Sequence, residues 1–246
     1  MTELTIETYQ KTVETLLPLP RKAHYLFNMR QVSEIIQGLF SVPADIVEKV
    51  PEKLPYLKRL WLHEVMRVFA DRLISEEDRE LFTRECLSFE STFFKPEDLA
   101  NASSLIFCNF VDARQDDPTY MEANSTDKLR ESLGKFVERY NADRTQGGEK
   151  LNILLFDYFM QHLARVSRIL AKPFGNGLLI GLGGNGRKTI AKMATFVNES
   201  QSYRISLHKN YGHMEWLDDL RNLYKTLGID NKKIVFSFSD KEIKQE

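Results

Sequence analysis

The chain has 246 residues, 42% of them hydrophobic, enough to bury one large core or two smaller ones. Lys+Arg 34 against Asp+Glu 35 gives a formal net charge of -1, so no global field draws it to nucleic acid or an acidic membrane. Cys86 and Cys108 lack CxxC spacing, which argues against zinc and for packed thiols in a reducing compartment. The polar start Met1–Gln10, with Glu3 and Glu7, reads as neither signal nor transit peptide, and no apolar run reaches membrane-spanning length. The expectation is a soluble cytoplasmic chain with no nucleic-acid and no membrane partner.

In chain order, Leu16-Leu17-Pro18-Leu19-Pro20 interrupts a first short helical pattern. Asn28 is placed to open a helix with Val32, Ile35, Ile36 and Leu39 on one face, ending near Gly38 to Pro43. A longer helix is expected from Leu54 or Leu57 to Leu73: Leu57, Trp61, Val65, Val68, Phe69 and Leu73 recur at helical spacing, while Arg59, Glu64, Arg67 and Asp71 fall largely elsewhere. Ser75 and Asp78 stand at capping-box spacing before a third helix with Leu81, Phe82, Cys86, Leu87 and Phe89 on its buried side. Leu105 to Phe110 fits a strand or a buried helical turn equally.

Asp112 to Asp127 is polar and turn-rich, and precedes a helix carrying Leu129, Leu133, Phe136, Val137 and Tyr140. Asn141 to Lys150, with Gly147-Gly148, reads as a linker. Phe156, Phe159, Leu163, Val166 and Leu170 mark another helix that stops before Pro173. Beyond it the texture alternates: strand 178–180, helix 188–198, strand 203–207, helix 214–227, strand 234–238. That alternation predicts a parallel sheet with crossover helices. The fold class read from the chain is therefore α/β with a large helical portion, a mostly helical region at 1–150 preceding an α/β nucleotide-binding region at 151–246.

The most specific stretch follows the apolar run Leu178-Leu179-Ile180. Gly181, Gly183, Gly184, Asn185, Gly186, Arg187, Lys188 and Thr189 read as a phosphate-binding loop between a strand and a helix. Closely spaced glycines let backbone N–H groups turn towards oxyanions, and the helix adds its positive end at the same point. Gly181 and Gly186 satisfy the G-x-x-x-x-G spacing of a P-loop, but Arg187 stands where the phosphate-reaching lysine belongs. An arginine there offers a fork of donors to β- and γ-phosphates. Thr189 lies one residue, about 100° of helix, beyond the position that places a hydroxyl on magnesium. Nucleotide binding tolerates this change better than hydrolysis does, so the ligand expected is ATP with Mg2+; a glycine-rich turn without a ligand is the alternative.

Asp240, at the end of the last strand, is the candidate to hold Mg2+ with Thr189. The residue after it is Lys241, not a water-activating glutamate, and Glu242 comes one further on. Asp240 can equally be read as a strand-end or cap residue. Arg67 and Asp71, at i,i+4, read as a surface ion pair, and His63, His162, His208 and His213 as structural.

The run Leu60 to Leu73, preceded by His24 to Arg30 and by Ile36-Gln37-Gly38, resembles the dynein heavy chain at the helical end of its third AAA+ module. The segments Leu154-Leu155-Phe156-Asp157, Gly181 to Thr189, Lys209-Asn210-Tyr211 and Phe238 to Ile243 resemble the beginning of the fourth module. The resemblance covers nearly the whole chain and is nearest in wording to axonemal members. It implies an AAA+ small (lid) subdomain followed by an incomplete P-loop AAA+ core. By the same resemblance Arg67 matches the sensor arginine of the third module, Arg187 matches a position where fourth modules carry lysine or arginine, and the extra residue before the hydroxyl is a family habit.

The resemblance also implies an ATP-binding piece of a microtubule-based ciliary motor, regulatory and with little or no hydrolysis of its own. Its partners would be other AAA+ modules or dynein chains, with microtubules contacted indirectly, in the cytoskeleton of a cilium or flagellum. A first-module ATPase, stalk, microtubule-binding tip and linker are not expected in this piece. AAA+ sheets order their strands 5-1-4-3-2, so the strand before the loop should lack both neighbours here. The other reading is a non-catalytic structural or interaction module with a degenerate nucleotide site.

Overall fold

The computed structural model describes residues 1–87, 94, 99, 101–112, 118–143, 150–205, 207–209 and 211–242, with Lys241 described by its backbone alone. Phe89, Gly147-Gly148, Asn210 and Ile243, named above, lie outside the described residues, as does residue 206 of the expected strand 203–207. The chain divides into two compact units, residues 1–107 with 119–123, and residues 108–118 with 124–246.

The first unit is helical: α1 (Thr2–Thr15), α2 (Met29–Leu39), α3 (Ala44–Lys49), α4 (Lys53–Val68) and α5 (Glu76–Leu81). The face that α1 buries is made of threonines. Thr5, Thr8 and Thr12 are buried, and each hydroxyl donates to the carbonyl four residues earlier, at 2.9, 2.8 and 2.6 Å, so no polar atom of the stripe needs water. Trp61 Nε1 donates to Thr5 Oγ1 at 2.9 Å, which locks α1 onto α4. Asn28 opens α2 as expected: its side chain accepts from the Arg30 N–H, and Gln31 reaches back to the Asn28 N–H at 2.7 Å.

The expected long helix is α4 followed by a 3-10 turn at Ala70–Arg72. It is the axis of the unit rather than a two-faced surface helix. Leu60 to Met66 are buried without a break, including His63 and Glu64, so the expected polar side is corrected: neighbours pack all round, and polar groups are tolerated where partnered. His63 Nδ1 lies 2.9 Å from Leu105 O, and Tyr120 Oη donates to Glu64 Oε1 at 2.9 Å. α2 ends at Leu39, within the expected Gly38 to Pro43 stretch, and Gly38 in its last turn faces Glu64.

Ser75 caps α5 by accepting from the Asp78 N–H. The Asp78 carboxylate turns to the chain before α2, taking Lys22 Nζ at 2.6 and 2.8 Å and the Tyr25 hydroxyl at 2.7 Å. Burial works against its ionisation, but the donors from Lys22, Ser75 and Tyr25 prevail and hold its pKa at about 2. Short strands β1 (Phe107–Cys108) and β2 (Met121–Glu122) form a two-stranded sheet, so two residues of the ambiguous Leu105–Phe110 run are strand and none is helix. Cys86 and Cys108 are buried free thiols, and burial pushes the Cys108 pKa up to about 12.

The second unit contains α6 (Thr126–Ala142), α7 (Asp157–Ala171), α8 (Arg187–Val197), β3 (Gln201–Tyr203), α9 (His213–Gly228) and β4 (Ile234–Phe236). The sequence reading grouped α6 with the first region. It packs with the second unit instead, Tyr140 meeting Phe196 of α8 edge-on at 5.2 Å, because its buried stripe needs that helix as a cover. β3 and β4 pair in parallel, Gln201 opposite Ile234 and Tyr203 opposite Phe236, with α9 as the crossover. Asp219 of α9 accepts from Tyr203 at 3.0 Å and Tyr211 at 2.6 Å, fixing the crossover to the ladder. Burial, with the Asp219 carboxylate, raises the Tyr211 pKa to about 12.

The expected strand 178–180 is not a strand. Residues 176–182 carry no regular structure, and Leu178 and Ile180 are each 84% exposed. The local sequence favours an extended chain, but a strand exists only against a neighbour; among the described residues the parallel sheet holds β3 and β4 alone.

Candidate phosphate-binding loop

Gly181 to Gly186 make a turn that runs directly into α8. Two of the glycines are required by backbone geometry: Gly184 has φ +85° and Gly186, the N-cap of α8, has φ +72°. Both lie in the left-handed region, where an L side chain meets its own carbonyl. The first intrahelical bond is Ile190 N–H to Gly186 O at 2.9 Å, so the amides of Arg187, Lys188 and Thr189 point out of the helix end without helical acceptors.

Cβ atoms built on Gly183, Gly184 and Gly186 would meet nothing within 4 Å, so the turn is open on that side. At Gly181 a Cβ would lie 3.6 Å from Arg187 Cδ and 3.7 Å from Asn185 Nδ2, which places both side chains beside the start of the turn. Arg187 makes no ion pair among the described residues. An open bend beside helix-start amides without helical acceptors, with a left-handed N-cap and a guanidinium nearby, suits an oxyanion. Lys188 is exposed, and Thr189 is half-buried in the first turn of α8.

Asp240 opens a 3-10 turn after β4 and is exposed; among the described residues no hydrogen bond or ion pair joins it to the loop. The loop residues are thus brought together by local folding, whereas Asp240 is placed by β4. The oxygens of Thr189 and Asp240 are of the kind that a hard divalent cation takes. Glu242 is engaged elsewhere: it accepts from the Ser239 N–H and from Arg204 at 3.0 Å. Burial opposes its ionisation, and these donors hold its carboxyl below the usual range all the same. Among the described residues no cluster of three or more His, Cys, Asp or Glu side chains is arranged to hold a metal.

Arg67 corrects the surface reading. Its side chain is 8% exposed and lies 3.4 Å from Asp71, because the C-terminal half of α4 that carries it is buried. A cavity of about 200 Å³ lined by Phe136, Arg139, Phe196 and Glu199 adjoins the C-terminal end of α8, away from the loop. The sequence reading missed Asn109, Ser167 and Asn198, three buried polar residues that meet behind α8. The available signal was a polar residue standing alone within an apolar run, as Asn109 does between Cys108 and Phe110.

A helical unit followed by a P-loop-type turn, helix and parallel ladder is the arrangement of an AAA+ lid joined to an AAA+ core. Residues 1–102 match the family model described as the AAA+ lid domain, and residues 151–246 the one described as the P-loop containing dynein motor region D4. The chain is 37% identical over 251 residues to dynein axonemal heavy chain 1 of Homo sapiens, covering 100% of this chain and 6% of that protein. It is 34% identical over 251 residues to the dynein-1-beta heavy chain, flagellar inner arm I1 complex, of Chlamydomonas reinhardtii, covering 100% of this chain and 5% of the relative. With the ciliary dynein beta chain of Tripneustes gratilla it shares 32% over 244 residues, 98% of this chain and 5% of the relative. The chain belongs to the dynein heavy-chain family, of whose curated members it spans 5 to 6% of the length. No described helix is long and apolar enough to cross a membrane.

Proposed function

We propose that the second unit binds ATP with Mg2+ through Gly181, Gly183, Gly184, Asn185, Gly186, Arg187, Lys188 and Thr189. The observation that carries this is the left-handed N-cap at Gly186, which turns the amides of the first turn of α8 towards an open bend. Those amides receive phosphate oxygens, Arg187 pairs with the outer phosphates, and the Thr189 hydroxyl and Asp240 hold the cation that neutralises them. Lys241 follows Asp240 and a protonated lysine cannot activate water, so the site is regulatory and has little or no hydrolysis of its own.

The names of the relatives support reading this activity as part of an axonemal dynein: a nucleotide-sensing piece of a microtubule-based motor in a cilium or flagellum, with other AAA+ modules as direct partners. In that setting the lid-like residues 1–102 and the core-like residues 151–246 serve adjacent modules, and Arg67 faces nucleotide held by the third.

Calorimetric titration of the full chain with Mg-ATP tests the reading. Saturable binding that Arg187→Ala weakens about 10-fold or more, a typical loss for a charged hydrogen-bond partner, supports it. Asp240→Ala should weaken binding in the presence of Mg2+ and leave metal-free binding unchanged. A second reading, a structural module with a degenerate site, is favoured by the unpaired 178–180 segment. No heat at millimolar nucleotide would establish it in place of the first.

A further inference from the structure

Three side chains far apart in sequence close a hydrogen-bonded ring inside the second unit. Asn109 Nδ2 donates to Asn198 Oδ1 at 2.6 Å, Asn198 Nδ2 donates to Ser167 Oγ at 3.1 Å, and Ser167 Oγ donates to Asn109 Oδ1 at 2.6 Å. Each member gives and receives one bond, and their exposures are 7, 7 and 0% for Asn109, Asn198 and Ser167. Bonds running in one sense around a dry ring strengthen one another, and losing one member strands the other two. Asn198 Nδ2 also donates to Ala194 O at 2.7 Å and Ser167 O at 3.2 Å, so the same amide closes the last turn of α8 and ties it to α7.

The segment that supplies Asn109 is itself held. Phe110 is fully buried, and its carbonyl accepts from Ser132 Oγ of α6 at 2.9 Å. The ring therefore joins three things: the first residues of the second unit, α7, and the C-terminal end of α8. The opposite end of α8 is the phosphate loop. An 11-residue helix is a rigid rod of about 16 Å, so the seat of one end sets the position and tilt of the other. Phe107 belongs to the first unit, and Cys108 alone separates it from Asn109.

We propose that Asn109 is a positioning residue for the phosphate loop, acting through its ring with Ser167 and Asn198 on the far end of α8. The functional consequence rests on the nucleotide-binding reading; the mechanical one does not.

The test is Asn109→Asp in the full chain. The substitution keeps the shape but removes the donor to Asn198 Oδ1, and it sets a carboxylate in the dry ring. Hydrogen exchange is measured without nucleotide, at a temperature where near-ultraviolet circular dichroism shows the variant folded. The expected result is exchange about 10-fold faster at Ile190 to Lys192, the first hydrogen-bonded amides of α8, with the Ser237 amide, bonded to Tyr203 O at 2.9 Å in the β3–β4 ladder, unchanged. A parallel titration should show Mg-ATP affinity reduced about 5- to 10-fold.

Exchange that rises equally in α8 and the ladder, or that stays constant at Ile190 to Lys192, would overturn the proposal, since a purely structural ring produces the first and an irrelevant one the second. If Asn109→Asp does not fold, Ser167→Ala, which leaves the Asn109–Asn198 bond in place, is read by the same two criteria. A wild-type chain that binds no nucleotide removes the reading of function, and the exchange pattern alone then decides the mechanical claim.

Discussion

Gly38 of α2 and Glu64 of α4 approach so closely that a Cβ on Gly38 would sit 1.9 Å from Glu64 Oε2. The carboxylate is fully buried and is held by the Tyr120 hydroxyl, so it has no open space to retreat into without losing that bond. The glycine is there to make room for a polar side chain, and the two helices pack at the distance this allows.

Gly38→Ala should therefore destabilise the first unit although alanine is the better helix former by about 1 kcal/mol. Overpacking costs about 1–3 kcal/mol, and displacing a buried hydrogen-bonded carboxylate adds to it. A urea titration should show a lower midpoint with an unchanged slope. A higher midpoint would mean that Glu64 swings aside freely.

The Lys22–Asp78–Tyr25 cluster makes stability pH-dependent in a stated direction. Asp78 titrates near 2 in the folded chain and near 4 when unfolded, so the unfolded state binds the proton first. Its contribution is complete above about pH 4 and is lost as pH falls through about 2. Asp78→Asn should cost about 1–3 kcal/mol at pH 7, and the gap to wild type should close in thermal melts run from pH 5 down to pH 2. A gap that stays constant over that range would exclude this carboxylate as its source.

Backbone geometry at the loop separates two glycines that look alike in sequence. Gly186→Ala forces an L residue into the left-handed region at about 1 kcal/mol, and should weaken Mg-ATP binding as the amides lose their alignment. Gly183 has no left-handed requirement and no neighbour within 4 Å of a Cβ, so Gly183→Ala should leave stability unchanged. Equal loss of binding in both variants would point to steric exclusion of the ligand rather than to conformation.

The unpaired 178–182 segment predicts self-association. Leu178, Ile180 and Leu182 are exposed beside backbone groups that no described strand accepts. Replacing Leu178 and Ile180 by lysine should lower the mass seen by light scattering at high protein concentration while changing stability by no more than about 0.5 kcal/mol. An unchanged concentration dependence would place the association surface elsewhere.

Much of this was readable in the order of residues. Asn28 with Gln31 announced the start of α2, Pro173 the end of α7, and the glycine spacing from 181 to 186 the bend into α8. These are local instructions: a cap, a missing N–H and a left-handed residue act within a few positions of the chain, so the chain by itself determined them. The alternation of apolar and helical stretches likewise determined the β3–α9–β4 crossover.

What tertiary structure decided is every feature whose partner lies far along the chain. Arg67 and Glu64 look like surface residues until α4 is packed, and the reason for a glycine at 38 is seen only when Glu64 is set against it. Residues 178–180 have the composition of a strand and, among the described residues, no partner to make them one. Asn109, Ser167 and Asn198 carry no shared signal, because a hydrogen-bonded ring depends on distances that only the packed helices define. Local propensity is written in neighbouring residues; burial, pairing and polar satisfaction come into being when distant segments meet.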